Sequence, residues 1–159
     1  MPLPPDSHRL RPDHLPTPFS AAEIRDGCPA GRTIRMREET PGAAPRFRRI
    51  RFVEVDEETA VQEFQATDEA GRPLGEPSRR SSTWLDLQRH ASQPAEATAV
   101  DEVVQTLPFG DFACWLYTVR APDAELRFWF VKELPGMPVQ VEEWINGQLA
   151  GRSVMIASD

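Results

Sequence analysis

The chain has 159 residues, 40% of them hydrophobic, which suits one compact domain with enough apolar material to bury a core. A formal net charge of -7 and a pI of about 5.0 argue against nucleic acid as a partner, because phosphate neutralisation needs clustered Lys and Arg. No apolar run approaches the roughly 20 residues of a membrane-spanning helix, so the sequence reads as soluble.

Residues 1–18 are proline-rich and carry no hydrophobic periodicity, which marks an extended or disordered arm unless it lies across the surface of the domain that follows, residues 19–159. This N-terminus lacks the charged start and continuous apolar stretch of a secretory signal. As written, the sequence points to the cytoplasm, and to the periplasm if a leader has been removed. Regular structure begins at Phe19. Ser20 and Glu23 have capping-box spacing, Phe19 and Ile24 have that of a hydrophobic staple, and Gly27 and Pro29 supply the stop of a two-turn helix.

From Thr33 the apolar period changes to two. The segments TIRMREE and RFRRIRFVEV flank a Pro-Gly-Ala-Ala-Pro turn, and pairing Met36 with Ile50 and Ile34 with Phe52 puts all four on one face. A third strand then sets Phe64 beside Phe52 and Ala66 beside Ile50. That register opposes Arg35 to Arg51 and Arg37 to Arg49 on the other face. Four guanidinium groups so placed repel one another, and they mark either a solvated, salt-bridged surface or an anion-binding strip.

STWLDLQRHASQP interrupts the strands with a second short helix over 83–92, capped by Thr83 and carrying Trp84, Leu87 and Ala91 on one stripe. Strands resume over about 98–106, 112–120, 125–132, 139–145 and 148–156, the last two joined by Asn146-Gly147, a strong hairpin signal. The expected fold is mainly β (α+β): a single strongly curved antiparallel sheet of eight or nine strands, with two short helices packed on its concave face.

FACWLYTV and LRFWFV carry large apolar groups on both faces, so something must cover the second face. The two helices are the first expectation; the arm, a second subunit or an apolar ligand are the others. If Tyr117 lies opposite Trp129, then Trp115, Tyr117 and Trp129 share one side, where they would wall a ligand site and Tyr117 would offer a hydroxyl to a polar head.

The series GDFACWLYTV, FWFVKELPGMPVQVE and an Asn-Gly hairpin, over about residues 98–157, resembles poorly characterised bacterial proteins related to the periplasmic lipoprotein-carrier fold. The resemblance implies an incomplete antiparallel barrel that wraps short helices and can hold an acyl chain.

Catalytic and metal-binding patterns are absent from the sequence. His8 and His14 fall in the arm and His90 at a helix end, Cys114 lies within an apolar strand as a buried thiol, and Cys28 sits in a turn as the more reactive of the two cysteines. Both suit free thiols in a reducing compartment, with a single disulfide left open. Metal-ligand spacings and a phosphate loop are missing, and the Glu38-Glu39, Glu57-Glu58 and Glu142-Glu143 pairs read as solvated charge. The leading reading is a non-enzymatic binding or interaction domain that needs no cofactor and takes an apolar or acyl small molecule, or a protein, as partner. The alternatives are an enzyme of unrecognised type with its site in the same concavity, and a structural homo-oligomer.

Overall fold

The computed structural model describes residues 7–159. Helix α1 (Ala21–Gly27) precedes a meander of β1 (Thr33–Glu39), β2 (Arg46–Val55), β3 (Thr59–Thr67) and β4 (Ser78–Thr83). Helix α2 (Trp84–Arg89) and a short 3-10 turn (Ala95–Ala97) lead to a second meander of β5 (Thr98–Leu107), β6 (Gly110–Arg120), β7 (Ala124–Val131), β8 (Gln140–Ile145) and β9 (Gln148–Ser158). Because β9 pairs with β1, the two meanders join in one open nine-stranded antiparallel sheet of order β4-β3-β2-β1-β9-β8-β7-β6-β5. This is the open, curved antiparallel-sheet architecture expected, with two short helices, both packed on the same face.

Local chemistry places the helices. Glu23 N–H donates to Ser20 Oγ (3.2 Å) while Ser20 N–H donates to Glu23 Oε1 (3.1 Å), so the box closes in both directions. In α2, Thr83 Oγ1 accepts from Asp86 N–H at 3.0 Å, but the Asp86 carboxylate turns to Arg89 instead of reaching back to the cap. The helix ends at Arg89, three residues short of the expected limit. The Trp84 ring stacks on Phe52 with centroids 6.1 Å apart, and its Nε1–H donates to the Asp56 carbonyl at 2.8 Å, which fixes α2 to the β2–β3 turn.

The pairing of β1 with β2 differs from the expected register. Ile34 lies opposite Ile50 and Met36 opposite Arg48, because the loop turns about Gly42, whose φ of +79° suits glycine, and so brings Glu38 opposite Arg46. The slip is two residues, so facing is preserved: Ile34, Met36, Ile50 and Phe52 are all buried on the helix side. The same shift sets Phe64 opposite Ile50 and Ala66 opposite Arg48.

Between β6 and β7 the slip is a single residue, and its effect is larger. A two-residue turn at Pro122 and Asp123, closed by the Ala121 N–H to Ala124 carbonyl bond (2.8 Å), pairs Tyr117 with Phe128 and Leu116 with Trp129. Tyr117, Trp115, Phe128 and Phe130 therefore share the helix-bearing face. Trp129 belongs to the opposite face with Leu116 and Cys114, which corrects the expectation that it would line a wall with Tyr117.

The two faces of β6 and β7 are covered differently. On the helix side, Phe19 meets Trp115 edge-on at 5.7 Å and Phe130 at 6.3 Å, and Tyr117 Oη donates to the Pro16 carbonyl at 2.9 Å. On the other side the sheet curls: β5 comes into contact with β9, and Gln105 Nε2 reaches Gln140 Oε1 at 2.9 Å across two intervening strands. Cys114, Trp129, Val131 and Leu107 are buried inside that curl.

The described part of the arm is bound to the body at several points. Leu15 N–H donates to the Gln93 carbonyl (2.9 Å), Ala95 N–H to the Asp13 carbonyl (2.9 Å), and His14 Nδ1 pairs with Ser92 Oγ (2.8 Å). Gln88, buried within α2, accepts from Ala21 N–H (2.9 Å) and donates to the Ser7 carbonyl (2.7 Å) and Thr17 Oγ1 (2.9 Å). One amide thus ties α2, α1 and the arm together, and all its bonding capacity save one lone pair is used. Residues 1–6 of the arm lie outside the described residues.

Candidate functional site

An apolar cavity of about 180 Å³ lies between the helix-bearing face and the elements laid over it. The sheet contributes Ile34, Phe52, Phe128 and Phe130, the helices Ile24 and Leu87, the arm Pro18, the entry to α1 Phe19, and the β7–β8 loop Gly136, Met137 and Pro138. Polar groups in the wall are few: Gln62, His90, Gln93 and the Tyr117 hydroxyl. An apolar cavity of about 150 Å³ is enough to stay dry and take up a benzene-sized molecule, so this space matches a small ring or a short acyl segment.

The loop wall is held by Arg32. Its Nη1 donates to the carbonyls of Gly27 and Pro135, both at 2.8 Å, and approaches Cys28 Sγ at 3.0 Å. Close approach explains Gly27: a Cβ there would stand 2.9 Å from Pro135 Cβ. The guanidinium so bridges the end of α1 to the loop. Neither Arg32 nor Met137 stands out in the sequence, because residues far apart in the chain give them their roles.

Cys28 is buried in this wall, which corrects its reading as the accessible thiol of a turn. Burial pushes its pKa up, the Arg32 guanidinium opposing in part. Its hydrogen-bond partners are Arg32 and the Pro135 carbonyl, and among the described residues no base is hydrogen-bonded to it to take its proton. Cys114 is fully buried within the curl, and burial likewise raises its pKa. The two thiols are free.

Of the expected ligand-wall residues, Tyr117 lines the cavity, Trp115 packs beside it against Phe19, and Trp129 is on the opposite face. The Tyr117 hydroxyl is engaged by Pro16, and burial drives its pKa up to about 12. His90 sits at the C-terminal end of α2 and lines the cavity without a hydrogen-bond partner among the described residues.

The arginine strip is also rearranged. Arg35 faces Arg49, Arg51 faces Thr33 and Glu63 on its two sides, and Arg37 faces Phe47 while its Nε donates to Glu39 at 3.0 Å. Arg35 with Arg51 and Arg37 with Arg49 are therefore not cross-strand pairs.

A third polar group centres on Glu142, buried on the outer face. Its carboxylate accepts from Gln140 Nε2 (2.9 Å), Trp144 Nε1 (3.1 Å) and Arg152 Nε (2.9 Å), and Arg152 continues to Glu39 at 3.5 Å. Bonding to Glu142 raises the Arg152 pKa. This carboxylate, with its charge balanced and its oxygens filled, fastens β8 to β9 and has little left for chemistry. Among the described residues no group of His, Cys, Asp or Glu side chains is arranged to hold a metal ion, and no helix is long and apolar enough to cross a membrane.

No protein-family model matches the chain, and no curated protein matches it in sequence. Solved structures do share its fold. A Bacteroides fragilis protein, described as exported and YmcC-like in fold, superposes with a TM-score of 0.54 at 12% identity over 83% of this chain and 97% of that one. MucB superposes with a TM-score of 0.57 at 10% identity over 87% of this chain and 56% of its own, so this chain spans little more than half of MucB. Identities this low speak for architecture alone, and in architecture the chain is similar to the YmcC-like exported protein and to MucB.

Proposed function

We propose that the protein is a non-enzymatic binding domain that holds a small apolar or acyl group in the cavity between its sheet and its two helices. The observation that carries this reading is the cavity itself: about 180 Å³, walled by Ile34, Phe52, Phe128, Phe130, Leu87 and Met137. Burying an apolar guest there takes the guest's apolar surface out of water, worth about 25 cal/mol per Å². Gln62, His90 and Gln93 supply the polar part of the wall for a guest with one polar end. The resemblance to the lipoprotein-carrier fold supports an acyl guest. The likeness to a protein described as exported supports the periplasmic location over the cytoplasmic one.

The test is displacement of N-phenyl-1-naphthylamine by saturated fatty acids of increasing length, run on the unmodified protein and on Ala91→Phe, which adds a ring at the wall of the cavity. Saturable dye binding, displaced by short acyl chains and reduced at least tenfold by Ala91→Phe, supports the reading. A folded, unmodified protein that takes up neither dye nor fatty acid overturns it.

A further inference from the structure

Most arginines of the chain have a carboxylate beside them: Arg37 has Glu39, Arg48 has Glu38, Arg72 has Asp68 and Arg79 has Glu63. Among the described residues Arg35, Arg49 and Arg51 have none, and these three share the outer face of β1 and β2. Arg35 and Arg49 lie directly opposite each other across the ladder. The nearest cross-strand acid, Glu63 opposite Arg51, is taken by Arg79 at 3.1 Å. Arg35 is further constrained. Its Nη2 donates to the Glu69 carbonyl at 3.0 Å, the backbone at Gly71 lies against its guanidinium, and its Nε is buried without an acceptor.

We propose that this face binds an oxyanion of the phosphate class between Arg35 and Arg49, with Arg51 at the rim. Like charges set opposite each other in a ladder are destabilising, and the cost persists where no carboxylate relieves it. A tetrahedral oxyanion relieves it: Arg49, whose guanidinium has no hydrogen bond or ion pair among the described residues, offers two parallel N–H groups at the spacing of two phosphate oxygens, and Arg35, with Nη2 engaged and Nε buried, adds the N–H groups of Nη1. The arrangement stands out in a chain of net charge -7, where acidic groups are in excess and yet, among the described residues, none forms an ion pair with these three arginines. Because the site occupies the face away from the cavity, it stands or falls independently of the binding reading above.

The experiment is thermal unfolding in phosphate against chloride at equal ionic strength, on the unmodified protein, Arg49→Gln and Arg35→Gln. A parallel arm uses co-sedimentation with phosphatidylglycerol vesicles against phosphatidylcholine vesicles, to distinguish a lipid phosphate from a free one. The expected result is a saturable rise in Tm of roughly 3 °C or more with phosphate, lost in Arg49→Gln, whose half-buried side chain makes no hydrogen bond or ion pair among the described residues. If the natural source is a headgroup, sedimentation with phosphatidylglycerol alone, lost in the same variant, supports the site equally. No saturable response in either arm, or an equal response in Arg49→Gln, overturns it. Arg35→Gln serves as the second variant, since it also releases the Glu69 carbonyl and is read only if it folds.

Discussion

The two meanders solve one packing problem in different ways. In β1 and β2 Ile34, Met36, Ile50 and Phe52 are buried against the helices while Arg35, Arg49 and Arg51 lie on the other side, so the main apolar cover is needed on one face. In β6 and β7 both faces are apolar and both need a cover. Pro16 of the arm and Phe19 just before α1 take one; the curl that brings Gln105 to Gln140 takes the other. A half that is apolar on two sides must therefore bend on itself or borrow a segment, and this one does both.

The largest effect expected from breaking this contrast is on the enclosed outer face. Trp129→Ala should cost about 3–5 kcal/mol in urea unfolding at constant slope, whereas Arg49→Ala, at the corresponding side of the other meander, should stay within about 0.5 kcal/mol. Equal costs would mean that the curl does not bury the β6–β7 face as described.

Phe19→Ala tests the borrowed segment. The ring is buried against Trp115 and Phe130, so about 3 kcal/mol should be lost, and the cavity it lines should enlarge and take up more dye. A loss of stability with unchanged dye uptake would show the cavity collapsing around the missing ring.

Tyr117 gives a sharper readout, since it is the chain's single tyrosine. Its pKa in the folded state is about 12 against 10.0 ordinarily, so stability from this group is fully present below pH 10 and lost as the pH rises through 12. Absorbance at 295 nm should titrate near pH 12 in the folded protein and near pH 10 in urea. Tyr117→Phe should remove that alkaline slope and cost about 1 kcal/mol at neutral pH through the lost bond to Pro16. A phenol that titrates at its ordinary value in the folded protein would mean the arm is not seated there.

The smallest effect concerns the thiols. Cys28 and Cys114 are both buried with raised pKa values, so neither should label rapidly with a disulfide reagent, and both should label on unfolding. Fast reaction at Cys28 alone would locate local opening of the Arg32 latch between α1 and the β7–β8 loop.

Much of the architecture was legible locally. The Ser20–Glu23 box, the Asn146-Gly147 turn with both residues at positive φ, and the change from period 3.6 to period two each depend on residues within a few positions of one another. The inward set Ile34, Met36, Ile50 and Phe52 also survived a two-residue error in register, because a shift of two preserves the side on which each residue points. The same parity rule made the single-residue error at Trp129 decisive. The tight Pro122–Asp123 turn was the available signal, since a two-residue connection fixes Ala121 opposite Ala124 and every pair beyond it.

Tertiary structure alone decided what lies over the strands. The Pro16 carbonyl on Tyr117, the Gln88 amide between two helices and the arm, Arg32 between α1 and the loop, and the curl joining Gln105 to Gln140 bring together groups that are mostly far apart in the chain. Caps, turns and facing are set by short-range sterics and hydrogen bonds that each segment carries in its own residues. The cavity and the unpaired arginines depend on which distant segments come to rest beside them, and that is settled by the competition among all apolar faces for cover.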